Sequence, residues 1–113
     1  SAETPIFDGD VGWAHLRGGG GAVALDADTG EVLREVRRSA MTALQPAAGG
    51  GAMWSTATAE QRVIRIDAAT GTVLELRAGN GVNAVAYADG VVWAANSDAA
   101  TVMRFDVADL DAP

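Results

Sequence analysis

The chain contains one histidine, His15, and its side chain is the type best suited to proton transfer. Imidazole titrates near neutral pH and also binds metals, so His15 can act as a general base or a metal ligand. It stands two residues after Trp13, which places both side chains on the same face of a strand. A lone histidine beside a tryptophan is more typical of a half-buried packing residue. We therefore predict no catalytic residue and no metal site, with His15 as the one candidate to be tested.

Two further motifs resemble ligand-binding loops. The segment Asp26–Glu31 has the acidic spacing with which a calcium loop begins, but such a loop needs about twelve residues and a terminal bidentate glutamate. The glycine run Arg17–Gly21 resembles a phosphate loop, yet a phosphate loop leads into a helix and usually carries a lysine, which this chain lacks. We interpret the first as a hairpin turn with solvated acids and the second as a flexible loop between strands. Neither motif predicts a cofactor.

Composition excludes several classes of chemistry. The 113 residues include no cysteine, which excludes disulfides, thiol catalysis, zinc ribbons and iron–sulfur ligation. Fifteen acidic residues against eight basic ones give a net charge of −7. This is the wrong sign for a surface that neutralises phosphates, so we expect no nucleic-acid partner. No apolar run reaches the roughly 20 residues that span a bilayer, and we expect no membrane insertion.

A repeat of about 40 residues organises the chain and must position any site. Three tryptophans are separated by 41 and 39 residues, and each is followed thirteen residues later by an aspartate. The pairs are Trp13 with Asp26, Trp54 with Asp67, and Trp93 with Asp106. The first two aspartates open nearly the same phrase, Asp-x-x-Thr-Gly-x-Val-Leu, which builds a tight hairpin turn. The alternating apolar and polar runs around it predict short strands.

Each unit therefore contains four antiparallel strands, which is typical of a β-propeller blade, although a β-sandwich or β-prism is the alternative. We predict an all-β fold of eleven strands in about three blades, residues 3–40, 41–79 and 80–113, the third lacking its outer strand. The tryptophans are expected to fill the cores between blades. Three blades cannot close a ring, so the outer faces of the first and last should expose apolar residues. We expect completion by association, as a homo-oligomer or with the remainder of a longer propeller.

Several phrases resemble known propeller repeats. Val92–Asn96, Arg65–Asp67 and Ala69–Leu74 resemble the YVTN-type repeat of streptogramin-lyase-like propellers, a resemblance that covers essentially the whole chain. The phrase Val23–Gly30 is also similar to the pyrroloquinoline-quinone-enzyme repeat, although that family usually continues to a tryptophan that is absent here. The resemblance implies a propeller fold and favours an extracytoplasmic or secreted location. The lyases of this kind use a histidine, for which His15 is the only counterpart.

The function predicted from these features is a binding or structural scaffold without a cofactor. The alternatives are an enzyme of the streptogramin-lyase-like or quinoprotein-like propeller type, and an extracytoplasmic sensor domain. Ligands are expected at the end of the ring where the connections between blades meet the loops between the second and third strands. The predicted ligand-binding residues there are Arg17, Glu60, Gln61, Asn96 and Asp98.

Two arginines belong to the repeat itself. Arg65 and Arg104 each stand eleven residues after a tryptophan. Because they occupy equivalent positions, we interpret them as ion-paired residues of the blades and not as a clamp for a substrate.

Overall fold

The structure is a computed structural model that describes residues 5–111, and its fold is all-β, as the repeat predicts. Eleven strands form three antiparallel sheets in which each strand pairs with the next along the chain. Sheet 1 contains β1 (Ile6–Asp8), β2 (Val11–His15), β3 (Gly21–Asp26) and β4 (Val32–Arg37). Sheet 2 contains β5 (Ala47–Gly49), β6 (Ala52–Ala57), β7 (Arg62–Asp67) and β8 (Val73–Arg77). Sheet 3 contains β9 (Val82–Ala88), β10 (Val91–Asn96) and β11 (Thr101–Asp106). Together they form an open, propeller-like arrangement.

The hairpin turns after β3 and β7 are built as the Asp-x-x-Thr-Gly phrase predicts. The Asp26 carboxylate accepts the backbone N–H of Asp28 at 2.8 Å and of Thr29 at 3.1 Å. Asp67 accepts the N–H groups two and three residues further on, at 2.8 and 3.0 Å. The glycine that follows has a φ of +76° in both turns, a conformation that costs glycine little. Hydrogen bonding from the N–H three residues on is the main cause that lowers the pKa of Asp67, so the charged form holds the turn.

Two apolar cores lie between successive sheets. Trp13 of sheet 1 packs in a cluster with Met53 and Ile64 of sheet 2. Trp54 of sheet 2 packs in a second cluster with Val85 and Val92 of sheet 3, and the prediction that tryptophans fill the cores between units is confirmed for these two. Both indoles have no solvent exposure.

Trp93, the third tryptophan of the repeat, is 43% exposed, because it lies on the face of sheet 3 that neither of the other two described sheets covers. Exposed apolar residues on this last face match the expectation for an open arrangement. On the outer face of sheet 1 the exposed side chains are Phe7 and Val32 and not a tryptophan, because Trp13 points to the opposite side, toward sheet 2.

A short helix follows the last strand. The sequence predicts a strand to about Val107, but β11 ends at Asp106 and α1 (Val107–Asp111) begins there. Val107 and Leu110 pack against the core between sheets 2 and 3. Their packing against that core favours the helix, since the Thr-Gly of the hairpin turn is missing at this point. Among residues 5–111, no helix is both long and apolar enough to cross a lipid bilayer.

Candidate functional site

His15 lies beside a cavity of about 380 Å³ at the end of β2. The cavity is lined by apolar side chains with two polar ones: Ile6, Trp13, Ala14, His15, Leu44, Gln45, Pro46 and Met53. Nε2 of His15 is hydrogen-bonded to Oγ of Ser55 on β6 at 2.8 Å, so the imidazole joins sheet 1 to sheet 2. Within residues 5–111, no three His, Cys, Asp or Glu side chains lie close enough together to hold a metal ion.

The contact between His15 and Ser55 has the distance at which an imidazole can activate a hydroxyl. The hydroxyl is enclosed, however, since Ser55 is 1% exposed and is absent from the cavity lining. A nucleophile must reach within about 3 Å of the carbon it attacks, which an enclosed oxygen cannot do. The pair is therefore arranged as a structural bond across two sheets.

The loops between the second and third strands lie at the same end of the molecule as the connections between sheets. Backbone hydrogen bonds join the two kinds of segment in every sheet. They run from Met41 N–H to Gly19 C=O at 3.1 Å, from Ala78 N–H to Gln61 C=O at 2.8 Å, and from Ser97 N–H to Gly81 C=O at 3.1 Å. The glycine run predicted as a loop contains a 3₁₀ turn, Arg17–Gly19, and takes part in these bonds.

Two of the predicted ligand-binding residues have structural contacts at this end. The Glu60 carboxylate accepts two hydrogen bonds from the Arg38 guanidinium, at 2.7 and 3.3 Å, and the same guanidinium reaches Glu75 at 2.9 Å. This bonding lowers the pKa of Glu60 and raises that of Arg38. Asn96 is 1% exposed, and its Oδ1 accepts the N–H of Gly79 at 2.9 Å. The side chains of Glu60 and Asn96 thus stabilise the loops at this end through hydrogen bonds within the chain.

The other three predicted residues are placed differently. Gln61 has a left-handed backbone conformation with a φ of +56°, and its side chain is exposed. Asp98 is exposed in the turn between β10 and β11. Arg17 begins the 3₁₀ turn, and its side chain lies outside the described part of the structure. Among the described residues, no side-chain contact joins these positions into one site, and they stay a prediction.

The sequence analysis missed an arginine that bridges two sheets. Arg34 on β4 donates to the backbone carbonyl oxygens of Ala69 at 2.8 Å and Thr70 at 3.2 Å, in the hairpin turn after β7. The repeat does not predict that Arg34 contacts the next sheet, because the register of β3 with β4 shifts between Ala24 and Leu25. That shift changes which residue of β4 shares a face with Trp13.

The outer face of sheet 3 is the first of two open apolar surfaces. The Trp93 face consists of the small and apolar residues Ala84, Ala86, Trp93, Ala95 and Val102, which share one side of the sheet. Val102 is 66% exposed, whereas Val63, its counterpart in sheet 2, is fully buried. The Arg104 guanidinium lies 5.4 Å from the centre of the Trp93 ring, as Arg65 lies 5.3 Å from that of Trp54.

The second open surface is on sheet 1. The Phe7 face consists of Phe7, Gly12, Leu25 and Val32, which are paired across the four strands. Phe7 is 61% and Val32 is 57% exposed. Their counterparts in sheet 2 by register are Ala48 and Val73, and both pack against the core shared with sheet 1. The Phe7 face therefore matches a surface that is covered elsewhere in the same chain.

Comparison with known proteins finds similarity in structure but none in sequence. No protein-family model matches the chain, and no curated protein is similar to it in sequence. The fold is similar to the crystal structure of the computationally designed Ika4 protein, with a TM-score of 0.73 and 21% sequence identity. The match covers 91% of this chain and 64% of that one, so this chain spans less than two thirds of the designed protein. The similarity shows the fold alone.

Proposed function

We propose that the chain is a propeller-type binding or structural scaffold that is completed by association with another copy of itself. The observation that carries the proposal is the exposure of Trp93, at 43%, beside Val102 at 66%. Trp13 and Trp54, at equivalent positions of the repeat, are fully buried by the next sheet. Exposed apolar patches of this kind mark interfaces, because covering them removes apolar surface from water.

The solution mass tests this proposal. Multi-angle light scattering should give a multiple of 11.5 kDa, and two chains would supply six sheets, within the usual four to eight of a propeller. Trp93→Asp should reduce the mass to that of one chain without changing the far-ultraviolet circular dichroism, because it removes the apolar ring and adds a carboxylate that association would have to remove from water.

The matched control is Leu74→Asp, which changes an exposed leucine on β8 of sheet 2, outside the Trp93 face. It should leave the mass unchanged. A folded 11.5 kDa monomer of the unaltered chain across the whole range of protein concentration would contradict completion by a second copy. The remainder of a longer propeller would then be the explanation for the open faces.

An enzyme is the second candidate function, and the hydrogen bond between His15 and Ser55 beside a cavity favours it. In that case Ser55 would be the nucleophile and His15 its base. The enclosure of Ser55 argues for the scaffold instead, and the two functions predict different reactivity.

We expect Ser55 to resist a fluorophosphonate probe, which labels activated serine nucleophiles, because its hydroxyl is buried. Mass spectrometry of the treated protein should show no adduct at Ser55, and treatment should label Ser55→Ala no less than the unaltered protein. An adduct at Ser55 that disappears in His15→Ala, with the fold retained, would support the enzyme and contradict the purely structural role of this pair.

A further inference from the structure

We propose that two copies associate head to tail, with the Trp93 face of each copy packed on the Phe7 face of the other and Arg104 reaching the acidic hairpin turn Asp26–Glu31. This proposal rests on the proposed function and specifies which two surfaces are in contact. It also names the contact that orients them.

The packing inside the chain already shows the arrangement twice. Sheet 1 covers sheet 2 with its tryptophan-bearing face, and sheet 2 covers sheet 3 in the same way. The surface that receives the tryptophan is in each case the opposite face of the following sheet. The contact is therefore heterologous, and one face of each kind stays uncovered, the Trp93 face at one end and the Phe7 face at the other.

An arginine accompanies each of these two contacts. Arg34 reaches from sheet 1 to the carbonyl oxygens of the turn that follows β7. Arg65 reaches from sheet 2 to the carboxylate of Asp111 at 2.6 Å, in α1, which follows β11. Both arginines thus bind the segment after the third strand of the next sheet. Arg104, on the Trp93 face, is the corresponding arginine of sheet 3.

Arg104 is placed to make the same contact with a second copy. Its side chain is 54% exposed, and its Nε donates to Asp106 at 3.0 Å. In a second copy, the segment after the third strand of sheet 1 is the turn Asp26–Glu31. Asp28 and Glu31 are exposed there, so a cation on one surface faces anions on the other. Complementary charge of this kind fixes the register of an interface.

The number of copies follows from the usual size of a propeller, about four to eight sheets, because three chains would already supply nine. Three sheets from each chain give six, and two identical contacts close that ring. Each copy then contributes Arg104 to one contact and Asp28 to the other. A variant with the charge of residue 104 reversed and a variant with the charge of residue 28 reversed should therefore associate with each other when they are mixed.

The experiment measures the dissociation constant of the dimer by analytical ultracentrifugation. Arg104→Glu alone and Asp28→Arg alone each place like charges at both contacts, and each should raise the dissociation constant about 10-fold or more. An equimolar mixture of the two variants should form a heterodimer of nearly unaltered affinity. In it, one contact pairs the two substituted residues and the other pairs the original Arg104 and Asp28.

Arg77→Glu, an exposed arginine at the edge of sheet 2, is the control and should leave the dissociation constant unchanged. A dimer that neither Arg104→Glu nor Asp28→Arg weakens would contradict this interface while the proposed scaffold stands. Weakening by both without restoration in the mixture would contradict the pairing of these two surfaces. A chain that never associates would instead contradict the proposed function.

Discussion

Replacing Trp54 by alanine is expected to lower the free energy of unfolding by about 3–5 kcal/mol, the range for a large aromatic side chain removed from a core. Trp54 is fully buried between sheets 2 and 3. Its Nε1 donates to the carbonyl oxygen of Gly49 at 3.2 Å, and its ring lies under the Arg65 guanidinium. The substitution removes the packing of the indole, its hydrogen bond and its contact with the guanidinium. It also leaves a cavity between sheets 2 and 3. Urea unfolding followed by circular dichroism measures the loss.

Trp93→Ala is the matched control for this prediction. Trp93 has the same position in the repeat and the same kind of arginine contact, but it is 43% exposed. At protein concentrations at which the chain is monomeric, its loss should be smaller, about 1–2 kcal/mol, because nearly half of the side chain is already in water. If Trp54→Ala does not fold, Trp54→Phe, which removes less of the side chain, takes its place in the comparison. Equal losses for Trp54→Ala and Trp93→Ala would contradict the assignment of the two faces.

The repeat made most of the fold predictable, because its signals are local. The Asp26 carboxylate bonds to N–H groups two and three residues away, so the residues of one short phrase are sufficient to define the turn. Strand alternation around each tryptophan is equally local, and the spacing of the tryptophans then counts the sheets. Eleven strands in three sheets follow from these observations.

Features that depend on how one sheet packs on another were not predictable in the same way. The bond between His15 and Ser55 joins residues 40 positions apart, and only the stacking of sheet 1 on sheet 2 brings them together. Asn96 was expected to bind a ligand because of its place at the loop end of the ring, yet it is buried and bonds to a backbone N–H of the connection before sheet 3. Helix α1 likewise depends on the core against which Leu110 packs.

The glycine run supplies the second large effect: Gly21→Ala is expected to lower the free energy of unfolding by about 3 kcal/mol. Gly21 has a φ of +132°, which alanine adopts only with strain. A Cβ at this position would also overlap the carbonyl oxygen of Val36 and lie 3.0 Å from the Cα of Arg37. Gly21 is paired with Arg37 in the ladder between β3 and β4, so relief of the overlap requires those strands to separate.

Gly18→Ala measures the cost of placing alanine at a positive φ where the new Cβ makes no close contact. Gly18 belongs to the same run and also has a positive φ, +72°, but a Cβ there would meet no atom within 4 Å among the described residues. The loss should therefore be only about 1 kcal/mol, the cost of placing alanine in the left-handed region. Urea unfolding of both variants gives the comparison. If the two losses were equal, the close approach of β4 would contribute nothing, and the glycine run would serve only to shape the turn before β3.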